Sequence, residues 1–304
     1  MTDMQLRSTA PALEEASVTS IQPQKTESSH TSSTQNWDFK VGVATDRNNR
    51  WRKTMEDTHA YEYNFENVPG QGYFAVFDGH AGHFAADWCK DNMGSIFEKE
   101  LKDNPDMDVR EIMKNTFLKA DKELEFESER AGTRSGCTAV MCFIRYEPAS
   151  SENTNDRKRV LYTANVGDAR AVLCRNGKAV RLTYDHKGSD MLESKRITDK
   201  GGFLLNNRVN GVLAVTRSLG DFSMKEFVVG SPFTTSIDLL DEDEFLVVAC
   251  DGLWDVVNDQ NAVELVSKVK DPQDAADTLL QHALDNFSTD NTSVMVARFC
   301  KADS

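Results

Sequence analysis

The sequence predicts an α+β fold in which antiparallel strands and helices form separate layers. Short strand-like runs alternate with longer helical stretches, and Asn176-Gly177 is a strong signal for a tight hairpin between two strands. The sequence contains neither the regular strand-helix-strand repeat of a parallel doubly wound fold nor a glycine-rich nucleotide loop. This mixture favours hairpin-built sheets flanked by helices.

The 304 residues divide by composition into a tail and one large domain. Residues 1–36 are rich in Ser, Thr, Gln and Pro and lack hydrophobic periodicity, which is typical of a disordered segment. We expect the folded domain at residues 37–300 and a short C-terminal tail at residues 301–304. A polar stretch at residues 147–156 is expected to form an exposed loop.

The period of the apolar residues predicts the individual elements. Strands are predicted at residues 40–44, 73–77, 137–145, 160–166, 169–174, 179–183, 244–250 and 292–299. Helices are predicted at residues 82–101, 109–129, 260–269 and 272–286. In the last of these, Asp271 is expected to cap the helix and Pro272 to stand in its first turn.

Net charge, apolar runs and cysteine spacing disfavour several classes of function. The formal net charge of −14 disfavours nucleic-acid binding, because affinity for a phosphate backbone comes from clustered Lys and Arg. No apolar run approaches the roughly 18 residues of a membrane-spanning helix, so no membrane partner is expected. The six cysteines form no CxxC pair, so we expect reduced thiols in a soluble cytoplasmic protein, with the nucleus as a second compartment.

Acidic residues cluster where strands are expected to end. The clusters are Met55-Glu56-Asp57, Phe77-Asp78-Gly79-His80, Cys250-Asp251-Gly252-Leu253-Trp254-Asp255 and Thr289-Asp290-Asn291. A single Asp-Gly pair is usually a simple turn, but this chain places Asp-Gly after an apolar strand twice. Carboxylates about 4 Å apart repel by roughly 4 kcal/mol at an effective dielectric constant of about 20, so such a cluster needs protons or cations.

The residue types indicate the chemistry of this cluster. Oxygen ligands without an array of His or Cys suit Mg²⁺ or Mn²⁺, and pairs of such ions recur in phosphatases. Arg52 is a candidate phosphate clamp, because a guanidinium pairs with two phosphate oxygens at once. A histidine suits proton transfer near neutrality, so His80 is a candidate general acid, although its spacing fits a surface histidine equally well.

In this order the clusters resemble the metal-dependent protein phosphatase family, the type 2C serine/threonine phosphatases, over nearly all of residues 38–300. The resemblance extends to WRKTMED at residues 51–57, SGCTA at 135–139, NVGDAR at 165–170 and LAVTRSLGD at 213–221. The chain looks most like the small fungal members that restrain stress-activated MAP kinase pathways. Protein dephosphorylation is therefore the expected activity.

The resemblance implies a four-layer αββα sandwich, two antiparallel sheets flanked by helices, with a metal cleft at one end. It implies two Mg²⁺ or Mn²⁺ ions held by five groups: Glu56, Asp78, the carbonyl of Gly79, Asp251 and Asp290. Asp78 is expected to bridge both ions. Asp57 is expected to orient bound waters, and Asp168 and Asp255 are expected to hold a weaker third ion with Asp251.

By the same resemblance, Arg52 binds the phosphate and His80 is the general acid. We expect single-step hydrolysis, in which a hydroxide bridging the two ions attacks phosphorus and no phosphoenzyme forms. The substrates are expected to be phosphoproteins, including a MAP kinase, and the enzyme to act as a monomer. Residues 195–202 and the stretch after Asp221 correspond to a flap that helps to choose substrates.

Alternatives remain open at this point. A scaffold with the same fold would keep the motifs without turnover, and a phosphodiesterase or nuclease would also use a two-metal carboxylate site. The net charge of −14 disfavours the nuclease. Cys250, where many relatives carry Ser, also allows a redox-sensitive thiol beside the metal ligands, although buried cysteines are usually inert.

Overall fold

The computed structural model of the protein describes residues 39–148 and 157–300. The expected tails at residues 1–36 and 301–304, and most of the expected loop at residues 147–156, lie outside the described residues. The division of the chain into tail and domain therefore stays a prediction. In the described ranges, no helix is both long and apolar enough to cross a membrane.

A five-stranded antiparallel sheet contains the first and last strands of the domain. Its strands are β1 (Phe39–Asp46), β6 (Arg170–Arg175), β7 (Lys178–Arg181), β12 (Asp243–Ala249) and β13 (Thr292–Phe299). Their order in the sheet is β1-β13-β12-β6-β7. The pairing of β1 with β13 brings the two ends of the domain together, from Phe39 opposite Phe299 to Asp46 opposite Thr292.

A second antiparallel sheet faces the first. Its strands are β2 (Thr58–Tyr63), β3 (Gly72–His80), β4 (Gly136–Pro148), β5 (Arg157–Val166), β10 (Leu219–Gly220) and β11 (Phe233–Asp238). The order is β11-β5-β4-β3-β2, and β10 pairs with β4. A separate two-stranded hairpin joins β8 (Leu204–Leu205) to β9 (Arg208–Val209).

The described residues form six α-helices. They are α1 (Phe84–Asp103), α2 (Val109–Ala131), α3 (Met191–Asp199), α4 (Asp251–Trp254), α5 (Asp259–Val266) and α6 (Pro272–Asp285). The carboxylate of Asp108 caps α2 by accepting the N–H of Arg110, and Gly132 ends it at a φ of 65°. Asp271 caps α6 before Pro272, as predicted.

Three apolar layers hold four layers of secondary structure together. The helices α1 and α2 pack on the second sheet through Phe97 and Phe117, while α5 and α6 pack on the first sheet through Val263 and Leu279. Between the sheets, Phe74 belongs to a central cluster of buried residues. Each fully buried Phe or Leu side chain stabilises the fold by about 1.5–3 kcal/mol. The predicted αββα sandwich is confirmed.

Most predicted helices and strands are present. Several differences lie in strands whose bounds depend on pairing with a neighbouring strand. The Asn176-Gly177 hairpin forms, with φ values of 50° and 70°. Strand β3 does not end before Asp78 as expected but continues to His80, because β4 pairs with it as far as Gly136. The helix predicted at residues 260–269 ends at Val266. The sequence prediction lacked two of the longer strands, β2 and β11, the short strands β8, β9 and β10, and the helices α3 and α4.

Candidate metal centre

Acidic residues from three separate parts of the chain meet at one end of the sandwich. Asp78 lies near the end of β3, Asp168 lies between β5 and β6, and Asp251 begins α4 directly after β12. One carboxylate oxygen from each of the three residues lies within 4.8 Å of those of the other two. Asp168, which was expected to help hold a weaker third ion, therefore lies in direct reach of Asp78 and Asp251.

Ionisation of these clustered carboxyl groups is electrostatically unfavourable. Burial, and then the charges of Asp251 and Asp57, raise the pKa of Asp78 well above its ordinary value. Burial, and then the charge of Asp168, do the same to the pKa of Asp251. Burial raises the pKa of Asp57 to about 6. Carboxylates that resist ionisation at this distance are typical of a site completed by a cation.

Unpartnered oxygens in the same cluster fit this interpretation. Asp57 Oδ2, Asp168 Oδ1 and Asp251 Oδ1 are buried and accept no hydrogen bond from the described residues. A buried acceptor without a partner costs about 1–3 kcal/mol, and more when it is charged. All of these atoms are hard oxygen donors, which suits Mg²⁺ or Mn²⁺. The donor set therefore fits the metal ions that the sequence implies.

Glu56 and Gly79 lie against each other beside this cluster. A Cβ atom added to Gly79 would stand 2.3 Å from the carbonyl oxygen of Glu56, so the approach requires glycine. The Glu56 carboxylate accepts the N–H of Gly82 at 3.0 Å and the hydroxyl of Thr54 at 2.8 Å. These contacts fix the direction in which Glu56 points.

Asn291 fixes the loop that carries Arg52 and Glu56. Its Oδ1 accepts the N–H of Glu56 at 2.8 Å, and its Nδ2 donates to the carbonyls of Arg47 and Thr54 at 2.8 and 3.0 Å. Only an amide offers an acceptor and two donors in this arrangement. Sequence reasoning quoted Asn291 within a motif but gave it no role, because its partners lie more than 200 positions away.

Arg52 contacts the carboxylate of Asp290 through its Nη2 atom and the carbonyl of Thr289 at 3.2 Å through its Nε atom. Burial raises the pKa of Asp290, and the charge of Arg52 opposes that rise. The guanidinium therefore stands at the rim of the acidic cluster and is about half exposed. It is positioned to contact an anion that approaches from solvent.

His80 is paired with Asp221, which sequence reasoning did not single out as a functional residue. The Nε2 atom of His80 lies 2.7 Å from Asp221 Oδ2, and Asp221 also accepts the hydroxyl of Ser218. A Cβ on Gly136 would stand 2.2 Å from Asp221 Oδ2 and 2.6 Å from His80 Nε2, so glycine there leaves room for the pair. Only the motif at residues 213–221 signalled Asp221 in the sequence.

Asp255 is exposed and lies outside the close group of carboxylates. The ammonium of Lys187 bridges it to Asp168, at 2.9 Å from Asp255 Oδ1 and 3.3 Å from Asp168 Oδ2. Burial raises the pKa of Asp168 even though Lys187 opposes that rise. The two residues expected to hold a third ion are thus joined through a lysine.

Cys250 borders the cluster as a buried thiol. Its Sγ atom and carboxylate oxygens of Asp57 and Asp78 lie within 4.8 Å of one another. Burial, and then the charge of Asp57, raise the pKa of the thiol well above its ordinary value. Because the thiolate is the reactive form, this environment disfavours the redox hypothesis.

Comparisons with known proteins agree with this geometry. Residues 41–292 match the family model for protein phosphatase 2C. Protein phosphatase 2C homolog 1 of Saccharomyces cerevisiae is 49% identical over 263 residues, which cover 85% of this chain and 92% of that protein. Its namesake in Schizosaccharomyces pombe is 46% identical over 274 residues, 90% of this chain and 76% of that protein.

A solved structure supports the fold independently. The crystal structure of serine-threonine phosphatase 2C from Toxoplasma gondii superposes with a TM-score of 0.71 at 22% identity, covering 86% of this chain and 95% of that chain. The chain belongs to the protein phosphatase 2C family, whose members are metal-dependent. It is a protein serine/threonine phosphatase, which removes the nuclease alternative.

Replacing Asp251 with Asn tests the electrostatic cost of the cluster. In the presence of EDTA we expect Asp251→Asn to raise the free energy of unfolding by about 2 kcal/mol, because one buried charge disappears. In saturating Mn²⁺ the wild type should gain stability by mass action, and the variant should gain less. Urea unfolding under both conditions measures the two effects.

The control for this experiment is Asp106→Asn, at an exposed position in the turn between α1 and α2. It should leave unfolding unchanged both with EDTA and with Mn²⁺. Equal stability of Asp251→Asn and wild type in EDTA would show that the cluster carries no repulsion in the metal-free protein.

Proposed function

We propose that this phosphatase hydrolyses phosphoserine and phosphothreonine in proteins at a centre that takes two Mg²⁺ or Mn²⁺ ions. The proposed ligands are Glu56, Asp78, the carbonyl of Gly79, Asp251 and Asp290, and Asp57 would orient bound water. The observation that carries this proposal is the convergence of carboxylates within 4.8 Å, with buried oxygens that lack partners. When bound, such ions supply an activated water as nucleophile and positive charge beside the phosphoryl oxygens.

Arg52 is the side chain that is proposed to bind the phosphate group of the substrate. Its guanidinium is half exposed and lies on Asp290, so it can turn from that carboxylate to two oxygens of a phosphate. Because Asp290 is a proposed metal ligand, a cation bound there would neutralise this carboxylate and leave the charge of Arg52 free to bind the substrate. The same side chain then holds the phosphoryl group in line for attack.

His80 supplies the proton for the leaving group. The hydrogen bond to Asp221 fixes the orientation of the imidazole at the mouth of the cleft. A serine or threonine alkoxide is a poor leaving group, so donation of a proton to its oxygen contributes about 10²–10⁴-fold to the rate. Asp221 is thus a positioning residue for His80.

Phosphate release with and without metal tests the proposed centre. The wild type should release phosphate from a phosphothreonine peptide in Mn²⁺ and lose this activity in excess EDTA. Asp251→Ala and Asp290→Ala should each lower kcat/KM more than about 100-fold, because they remove ligands and not merely their supports. Asp106→Ala is the control and should keep full activity, whereas phosphate release that survives EDTA would contradict the proposal.

Comparison of two leaving groups tests His80 and Asp221. His80→Ala should lower kcat on a phosphothreonine peptide by about 100-fold, but should affect p-nitrophenyl phosphate little because nitrophenolate leaves without a proton. Asp221→Asn should show the same pattern with a smaller loss. His83→Ala changes an exposed histidine paired with Asp87 and serves as the control. Equal losses on both substrates would count against the acid role.

We further propose that the substrates include a stress-activated MAP kinase and that the enzyme acts as a monomer in the cytoplasm and nucleus. The similarity to small fungal phosphatases supports the pathway. The carboxylates of Asp78, Asp168 and Asp251 come together within a single chain, so this cluster needs no second copy, which supports a monomer. All six cysteines are free thiols, which is typical of reducing compartments.

Phosphoproteomics of living cells tests the substrates. Cells that lack the protein and cells that carry only Asp251→Ala should gain the same phosphosites, among them the activation-loop threonine of a MAP kinase. Matching gains would connect those sites to catalysis. Gains in the deletion that are absent from Asp251→Ala cells would instead reveal a role of the protein as a scaffold.

A further inference from the structure

Lys187 lies between two carboxylates of the metal centre. Its Nζ atom is 3.3 Å from Asp168 Oδ2 and 2.9 Å from Asp255 Oδ1. The other oxygen of Asp168, Oδ1, is buried and has no hydrogen-bond partner in the described part of the chain, and this side chain is only 7% exposed. A charged amine therefore stands at a position where a divalent ion would need the same oxygens.

Lys187 also begins residues 187–215, which contain the part of the predicted flap at residues 195–202. Lys187 forms an antiparallel bridge with Val215, which closes the base of this segment. Its carbonyl accepts the N–H of Asp190, the residue that caps α3. The side chain of Lys187 thus connects the base of this segment to the acidic cluster.

The environment of Lys187 allows its ammonium to leave. The side chain is 34% exposed, so rotation about its flexible stem can carry the charge into water without disturbing the backbone bridge. Asp255 is exposed as well, so an ion can reach the pair from solvent. A monovalent ammonium that already offsets part of the negative charge of Asp168 and Asp255 must weaken the binding of any further cation there.

We propose that Lys187 is a tethered cation that occupies the Asp168 and Asp255 pair and competes with a third Mg²⁺ or Mn²⁺ ion. The pair takes that ion only when the ammonium withdraws into solvent. This inference rests on the proposed two-ion centre. As a consequence, the concentration of divalent metal controls whether the segment at residues 187–215 is attached to the cluster through Lys187.

Titration with Mn²⁺, followed by the electron paramagnetic resonance signal of the free ion, tests the competition. The wild type should bind two ions and then a third more weakly. Lys187→Met keeps the length of the side chain without its charge and should bind the third ion at least about tenfold more tightly. Lys195→Met removes an exposed flap lysine paired with Asp199 and should titrate like the wild type.

A double variant locates the ion. Adding Asp255→Asn to Lys187→Met should abolish the gain in affinity. An unchanged third affinity in Lys187→Met, or a gain that persists in the double variant, would overturn the inference. Failure of the wild type to bind the first two ions would instead overturn the proposed function, so the two failures are distinguishable.

Lysine labelling provides a readout in the unmutated protein. Acetylation of Lys187 by acetic anhydride, quantified by mass spectrometry, should rise as Mn²⁺ fills the third site, because the amine is then displaced into water. Acetylation of Lys195 should stay constant over the same range. Constant labelling of Lys187 while the third ion binds would exclude displacement and overturn the inference.

Discussion

Repulsion among carboxylates buried at one end of the sandwich is the constraint on which the site depends. Asp78, Asp168 and Asp251 are held together by strands and turns whose positions are set by the packed layers, so they cannot move apart to relieve it. Two cationic side chains lie at the edge of the cluster and reduce this repulsion. Arg52 pairs with Asp290, and Lys187 pairs with Asp168. Divalent ions at the proposed centre would complete the neutralisation that these two side chains begin.

This arrangement explains how a strongly acidic protein can act on phosphate esters. A net charge of −14 would repel a phosphoprotein if the acidic residues acted as free charges. Metal ions bound at the proposed centre would reverse the sign of the field there, and Arg52 adds a guanidinium fork beside it. The net charge of the whole chain is therefore no guide to the charge that a phosphate ester meets at the site.

The sequence was sufficient for the features that depend on local pattern. The strand from Thr292 to Phe299 and the start of α6 at Pro272 follow from alternation and from capping, and both are confirmed. Strand β2 was not predicted, because its burial depends on β3 beside it. The clustering of Asp168 with Asp251 was expected only from the family resemblance, since no local pattern shows how two sheets pack.

The same limit applies to the hydrogen bonds that support the site. Asp221 reaches His80 across 141 positions of sequence, and no local pattern predicts such a contact. The amide of Asn291 reaches Arg47 across 244 positions and completes the Glu56 loop from the far end of the domain. The site therefore needs both ends of the domain, because β1 pairs with β13 and Asn291 holds the loop that carries Glu56. A chain cut directly after α6 would keep Asp78, Asp168 and Asp251 but would lose Asp290 and the amide that holds Glu56 in place.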